Sequence, residues 1–224
     1  RGYAEFRGIN FLVTKDTLIP RIETEQIVNI ALDLIETKDI PYSKIIDIGT
    51  GTGCIIISLY QELKENKEEI EEKEKNREKD EEYTFLATDC SSKTLDIAKE
   101  NAKRNSIKNI SFVKRNLIDN KDLENNSLIL ANLPYIPTNM YMKLDRSVKD
   151  FEPKKALDGG KDGLKYYKEL LTIIQKTQKK NIDLIVEIEP STLKDFKKLA
   201  PKSTSLKIIK DFREKNRFLL LHFA

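Results

Sequence analysis

Lys44-Ile45-Ile46-Asp47-Ile48-Gly49-Thr50-Gly51-Thr52-Gly53-Cys54-Ile55-Ile56-Ile57 is the stretch that decides the fold. Its first five residues read as a strand buried on both faces, and the apolar run after the glycines reads as a helix. Glycines at alternate positions let a backbone turn sharply and approach a ligand closely. The helix that follows then offers the free N–H groups of its amino end to an anionic or polar group. A lone Gly-x-Gly-x-Gly is a weak sign. Here the strand–turn–helix setting and Asp47, just ahead of the turn, strengthen it. Such a unit opens a doubly wound α/β sheet, whose ligands sit outside the carboxyl ends of the strands.

The next apolar run, Thr84-Phe85-Leu86-Ala87-Thr88, ends in Asp89. An acidic residue at the end of the second strand of this unit is placed to accept hydrogen bonds from ribose hydroxyls. Its distance from the glycines is longer than usual because residues 62–82 are a run of Glu and Lys with hardly an apolar side chain. That run reads as a solvated surface insertion, either a prolonged helix with i,i+4 pairs or a disordered segment. Ser91 and Ser92 are better placed than Asp89 to cap the helix of residues 93–105. A third strand, Ile110 to Val113, ends near Asn116-Leu117, beside the second strand end. The fourth, Ser127-Leu128-Ile129-Leu130, delivers Ala131-Asn132-Leu133-Pro134-Tyr135-Ile136-Pro137. On its own, Asn132-Leu133-Pro134-Tyr135 reads equally as a β-turn closed by proline. At a sheet's carboxyl edge, however, the Asn132 amide oxygen and the Pro134 carbonyl are positioned to accept both hydrogens of one planar NH2 group. Tyr135 would pack on the face of that group. Catalysis by such a clamp rests on orientation rather than on an acid or base.

The remainder of the chain frames these parts. Tyr3 to Val13 alternates about Gly8 as a hairpin. Residues 23–36 carry apolar residues at helical spacing, with Arg21 and Glu25 at the mouth of that helix. A loop from Phe151 opens into a helix with Leu164, Tyr167, Leu170, Leu171 and Ile174 as its buried stripe. Asp183 to Glu189 gives a fifth strand, residues 191–199 a short helix, and residues 205–210 and 217–223 a closing antiparallel pair. With 224 residues, the chain fits one large α/β domain or a domain with a small appendage. A net charge of +3 leaves no strong nucleic-acid footprint. Cys54 and Cys90 have no partner spacing and read as small buried residues beside strand ends rather than a disulfide or metal pair. One histidine, His222, supports neither a metal site nor a Ser-His-Asp triad. No signal peptide or membrane-length apolar run is visible, so a cytoplasmic setting is expected.

With these residues in hand, the sequence resembles the HemK/PrmC family of protein-(glutamine-N5) methyltransferases that modify peptide chain release factors. Phe6-Arg7-Gly8-Ile9-Asn10-Phe11 is similar to that family's hairpin, and Asn-x-Pro-Tyr is a signature of methyltransferases that act on planar NH2 nitrogens. Leu18-Ile19-Pro20-Arg21-Ile22-Glu23-Thr24-Glu25 resembles its Leu-Ile-Pro-Arg-Pro-Glu-Thr-Glu segment. Glu152-Pro153 through Ala156-Leu157, then Gly159-Gly160 and Asp162-Gly163-Leu164, match a block that general methyltransferases lack. The last two segments are the most specific.

The resemblance implies a Rossmann-like class I fold: a seven-stranded, mostly parallel sheet with an antiparallel last strand, preceded by a short β-hairpin. It implies S-adenosyl-L-methionine held by Asp47, Gly49, Thr50, Gly51, Thr52, Gly53, Asp89, Cys90, Asn116, Leu117 and Asn132. Asn132, Pro134 and Tyr135 would be catalytic. Arg21 and Glu25 would bind substrate together with Asn132, Leu133, Pro134 and Tyr135. The substrate would be the glutamine of a release factor's Gly-Gly-Gln motif, methylated by a monomer without metal, membrane or direct nucleic-acid binding. Residues 1–16 are expected to be a hairpin and linker from an amino-terminal helical domain missing from this chain. Residues 17–224 are expected to be the methyltransferase domain.

Some residues depart from the family pattern. Leu133 stands where the family has Pro, as in ribosomal-RNA adenine dimethyltransferases. Asn116-Leu117 replace an acidic and an aromatic residue, and Glu187-Ile188-Glu189 replace Glu-Ile-Gly. Two further readings follow: an adenine-N6 methyltransferase acting on RNA or DNA, and a cofactor-binding protein that has lost catalysis. A nicotinamide dehydrogenase would leave the Asn-Leu-Pro-Tyr strand end unexplained.

Overall fold

The computed structural model describes residues 2–73 and 83–224, with side chains of 67–73 left aside. Strands β3 (Lys44–Ile48), β4 (Thr84–Asp89), β5 (Ile110–Lys114), β6 (Ser127–Ala131), β7 (Ile182–Glu187), β8 (Ser205–Lys210) and β9 (Asn216–Phe223) form one sheet in the order β5-β4-β3-β6-β7-β9-β8. Every pairing from β5 to β7 is parallel. β9 pairs antiparallel with both β7 and β8, so the last strand alone runs against the rest. β6 and β7 are buried along their whole length and β3 along all but its first residue. Parallel strands covered on both faces read as largely apolar runs, as these do, with Asp47, Asp183 and Glu187 as the buried exceptions. The edge strand β8 alternates instead and carries Lys207 and Lys210, charges that discourage a further strand from pairing.

Helices α1 (Glu25–Thr37), α2 (Cys54–Lys73) and α3 (Ser92–Arg104) cover one face of the sheet. α6 (Lys165–Lys176) and α7 (Leu193–Leu199) cover the other. Alternate residues of each central strand supply the two cores: Ile45 points to the first and Ile46 to the second. α2 continues through Lys73, so the first part of the charged 62–82 segment prolongs a helix; its remainder, 74–82, lies outside the described residues.

Strands β1 (Tyr3–Phe6) and β2 (Ile9–Leu12) form a separate hairpin closed by Arg7 and Gly8, both at positive φ, as a two-residue type I′ turn requires. Phe6 and Phe11 are fully buried in the core beneath α1 and α2, burial that contributes about 2–3 kcal/mol for each ring. Arg7 fastens the turn, donating from Nη1 to Asn29 Oδ1 at 2.7 Å and from Nη2 to Glu62 Oε2 at 2.6 Å. Asn101 of α3 accepts from Leu12 N at 2.8 Å and donates to Thr52 O at 2.9 Å. One buried amide therefore ties the hairpin to the glycine turn. Two short helices that the sequence pattern did not suggest, α4 (Thr138–Tyr141) and α5 (Arg146–Lys149), fill the connection after β6. Among the described residues no helix is long and apolar enough to cross a membrane.

Candidate active site

The sheet order reverses at β3, with β4 on one side and β6 on the other, and the crevice lies beyond their carboxyl ends. Asp47, fully buried, accepts a 2.6 Å hydrogen bond from the Thr50 hydroxyl on Oδ2, while its Oδ1 has no hydrogen-bond partner among the described residues. Burial pushes this carboxyl up to about 7, against the opposing pull of the Thr50 bond. Above it, a Cβ placed on Gly51 would meet nothing nearer than Gly49 O at 3.9 Å, so the space over the turn is open. A Cβ on Gly49 would lie 2.9 Å from Leu133 Cδ2, which is why the turn and the β6 loop can touch. Asp89 accepts from Ser91 N at 2.8 Å and from Gly51 N at 3.3 Å, and burial raises its pKa. Ser91 caps α3 by accepting from Thr94 N at 3.3 Å. Leu117 sits at φ 65°, a left-handed conformation costing about 1–2 kcal/mol, and its carbonyl is held by the Thr88 hydroxyl at 2.8 Å.

These groups enclose a cavity of about 130 Å³ whose wall includes Gly49, Gly51, Asp89, Leu117, Asn132 and Pro134. A smaller one of about 40 Å³ lies against Arg21, Thr24, Thr50, Thr52 and, again, Asn132. Asn132 thus lines both, as Leu18, Gly49 and Gly51 do.

The Asn132 carboxamide is held from behind. Its Nδ2 donates to Thr24 Oγ1 at 3.0 Å, and the Thr24 hydroxyl donates to Glu187 Oε2 at 2.7 Å. The other oxygen of Glu187 accepts from the Tyr135 hydroxyl at 2.9 Å. Tyr167 of α6 accepts from Leu133 N at 3.2 Å and donates to the Glu187 carbonyl, joining the ends of β6 and β7. Among the described residues, no donor bonds Asn132 Oδ1 or Pro134 O. Burial, with Glu187 beside it, holds the Tyr135 proton far above the ordinary phenol range, so Tyr135 is a donor here and not a base. Burial likewise raises Glu187, while bonds from Thr24 and Tyr135 and the charge of Arg217 oppose the rise.

A loop from the carboxyl half of the chain backs this segment. Ile136 N donates to Leu157 O at 3.0 Å and Gly159 N to Ile136 O at 2.8 Å. Gly163, at φ +75°, approaches so closely that a Cβ would fall 2.3 Å from Tyr135 O. Glu152 accepts from Ile19 N at 3.1 Å and pairs with Arg21. The two segments most specific to the family resemblance thus meet across the site.

Most residues expected from the sequence to bind cofactor or substrate converge on the two cavities, with differences. Glu25 is put to another use: its carboxylate accepts from Arg7 N at 2.9 Å and secures the hairpin. Gly53 packs against Ile57 and Ala98 rather than facing a cavity, and Asp47 acts from beneath the turn. Cys90, expected to be buried, is exposed at the cavity wall, whereas Cys54 is buried as expected. His222 stands away from the site, its Nδ1 2.8 Å from Asp183 Oδ1. Thr24 and the side chain of Glu187 went unassigned. The available signal was a carboxylate closing the otherwise apolar run Leu184-Ile185-Val186. Among the described residues no cluster of His, Cys, Asp or Glu is arranged to hold a metal.

Residues 41–217 match the family described as Methyltransferase domain. The chain is 31% identical over 222 residues to the release factor glutamine methyltransferase of Fusobacterium nucleatum, a match covering 98% of this chain and 57% of that protein. It is 30% identical over 229 residues to the release factor glutamine methyltransferase of Flavobacterium psychrophilum, covering 99% and 73%. The chain thus spans little more than half the length of the first of these relatives. A solved structure, the hMettl16 catalytic domain in complex with MAT2A 3'UTR hairpin 6, aligns with a TM-score of 0.63 at 17% identity, covering 96% of this chain and 74% of that one. At that identity the likeness is one of fold.

Proposed function

Because this chain belongs to the release factor glutamine methyltransferase family, we propose that it transfers the methyl group of S-adenosyl-L-methionine to a glutamine side-chain amide nitrogen. The substrate in this reading is the Gly-Gly-Gln motif of a peptide chain release factor, met in the cytoplasm. The observation that carries it is a cavity walled by Asn132 and Pro134 together with Gly49, Gly51 and Asp89, where no donor among the described residues bonds Asn132 Oδ1 or Pro134 O.

The residues fit the cofactor. Asp47 Oδ1, buried without a partner below the open turn, suits a cationic amino-acid end, and Asp89 suits ribose hydroxyls. When bound, S-adenosylmethionine supplies a methyl carbon made electrophilic by its sulfonium. Asn132 Oδ1 and Pro134 O hold the two N–H bonds of the substrate and so fix the direction of the nitrogen lone pair, a gain in orientation rather than in basicity. Both are neutral oxygens and neither keeps a proton. Once alkylated, the amide nitrogen is strongly acidic, and its proton leaves to water. Residues 17–224 are the catalytic unit in this proposal, with the hairpin within residues 1–16 seated on it.

The test offers the protein, with methyl-labelled cofactor, a release factor and an adenine-containing RNA in the same reaction. Label is expected on the release factor, at one methyl per molecule. Label on the RNA alone, or on neither, would overturn the proposal.

A further inference from the structure

We infer that Thr24 and Glu187 are positioning residues that fix which end of the Asn132 carboxamide faces the cavity. The inference deepens the function proposed above and rests on it for the identity of the substrate.

A carboxamide carries an acceptor and a donor of almost equal size, and nothing in its shape decides between them. Bonding partners decide, and here the chain of partners ends on a carboxylate. An ionised Glu187 can only accept, so the single proton of the Thr24 hydroxyl goes to Oε2. What Thr24 then shows Asn132 is lone pairs. The half of the carboxamide lying 3.0 Å away must therefore be the NH2, and Oδ1 is left to the cavity. A half-turn of the carboxamide would set two oxygens together with no proton between them. Loss of that one part-buried bond biases the two orientations by roughly 10- to 100-fold.

The remaining oxygen of Glu187 takes the Tyr135 hydroxyl, so one carboxylate orients both side chains of the clamp. Tyr167, bonded to the Glu187 carbonyl and to Leu133 N, keeps the two strand ends in register. A site built this way admits a nitrogen that carries hydrogens and repels a carbonyl oxygen. That is the discrimination needed between the two ends of a glutamine amide.

Protonation of Glu187 would undo the arrangement, because the acid would then donate and the Thr24 proton would be freed to turn towards Asn132. The groups facing Glu187 are Thr24 and Glu23 from the turn before α1, Tyr135 from the β6 loop, Tyr167 from α6 and Arg217 from β9. Glu23 and burial favour the acid; the two hydroxyl donors and Arg217 favour the carboxylate.

Three variants test the inference: Thr24→Val, which keeps the shape and removes the hydroxyl; Thr24→Ser, which restores it; and Glu187→Gln. The readouts are kcat and KM on release factor, cofactor affinity by calorimetry, and hydrogen exchange of the Asn132 side-chain NH2 by NMR. Thr24→Val is expected to lower kcat/KM by about 10- to 100-fold with cofactor affinity within about twofold of wild type, and to speed exchange of that NH2. Thr24→Ser recovers most of the loss. Glu187→Gln loses rate in the same way and removes the fall in wild-type rate on the acid side of the pH profile. Thr24→Val with wild-type kcat/KM and unchanged exchange would overturn the inference, even were Glu187→Gln to misfold. A wild-type protein that leaves release factor unlabelled would refute the proposed substrate instead, and the exchange rates of wild type and Thr24→Val would still decide the relay.

Discussion

Asp47 is a carboxyl group that water reaches at neither oxygen, and its energetics run against its function. Its folded pKa of about 7 lies above the ordinary 3.8, so the fold favours the neutral form. Stability from this group is full below the unfolded value and is lost as pH rises through 7. Asp47→Asn should therefore melt several degrees above wild type at pH 8, with the gap closing towards pH 4, in a thermal scan. The same variant should bind S-adenosylmethionine at least about tenfold more weakly, because the unpartnered negative oxygen is gone. Tyr167 makes a different prediction. Tyr167→Phe strands Leu133 N and the Glu187 carbonyl, at about 1–3 kcal/mol, and should lower Tm by roughly 2–12 °C. Leu133 is the departure that makes this bond possible, since a proline there would have no N–H to give. Asn132 and Asp89 were legible in the sequence because a strand end dictates where such residues point. Thr24 and Glu187 stand 163 positions apart, and no local pattern announces that they share a proton.

At the scale of elements, the site is a junction between pieces that are weak alone. The loop of residues 158–163 makes a short parallel bridge with Ile136 and presses Gly163 against Tyr135. Gly163→Ala adds a Cβ in a left-handed conformation, and that carbon falls 2.3 Å from Tyr135 O. The strain is about 1–3 kcal/mol, and the loop has to retreat. We expect kcat/KM on release factor to fall at least about tenfold while cofactor affinity holds, measured by steady-state kinetics and calorimetry. Loss of cofactor affinity together with rate would instead place this loop in the cofactor site. The strands, α1, α3 and α6 were legible from apolar spacing. The α4 and α5 helices were not, being four residues each and too short to show a helical period. Glu25 shows the limit of position as a guide: it lies next to the site in sequence, yet its carboxylate serves the hairpin.

For the molecule as a whole, topology explains why so distant a set of residues meets. The chain lays β3 in the middle, builds outward to β5, and returns across β3 to place β6 on the other side. Turn and clamp thereby share one crevice, and the sheet is the Rossmann-like class I methyltransferase sheet with its reversed last strand. The buried parallel strands were legible because they leave apolar runs, whereas the sheet as a whole, seven-stranded with its last strand reversed, was what the family resemblance implied. How the hairpin packs did not follow, since its two phenylalanines find their core only in three dimensions. The central claim is that Asn132 Oδ1 and Pro134 O receive one planar NH2 group. It is tested most directly by a crystal structure of the protein with S-adenosylhomocysteine and a peptide containing Gly-Gly-Gln. The account predicts the glutamine nitrogen within hydrogen-bonding distance of both oxygens, with the Asn132 NH2 still on Thr24. A carboxamide turned inward, or a glutamine bound away from both oxygens, would contradict it.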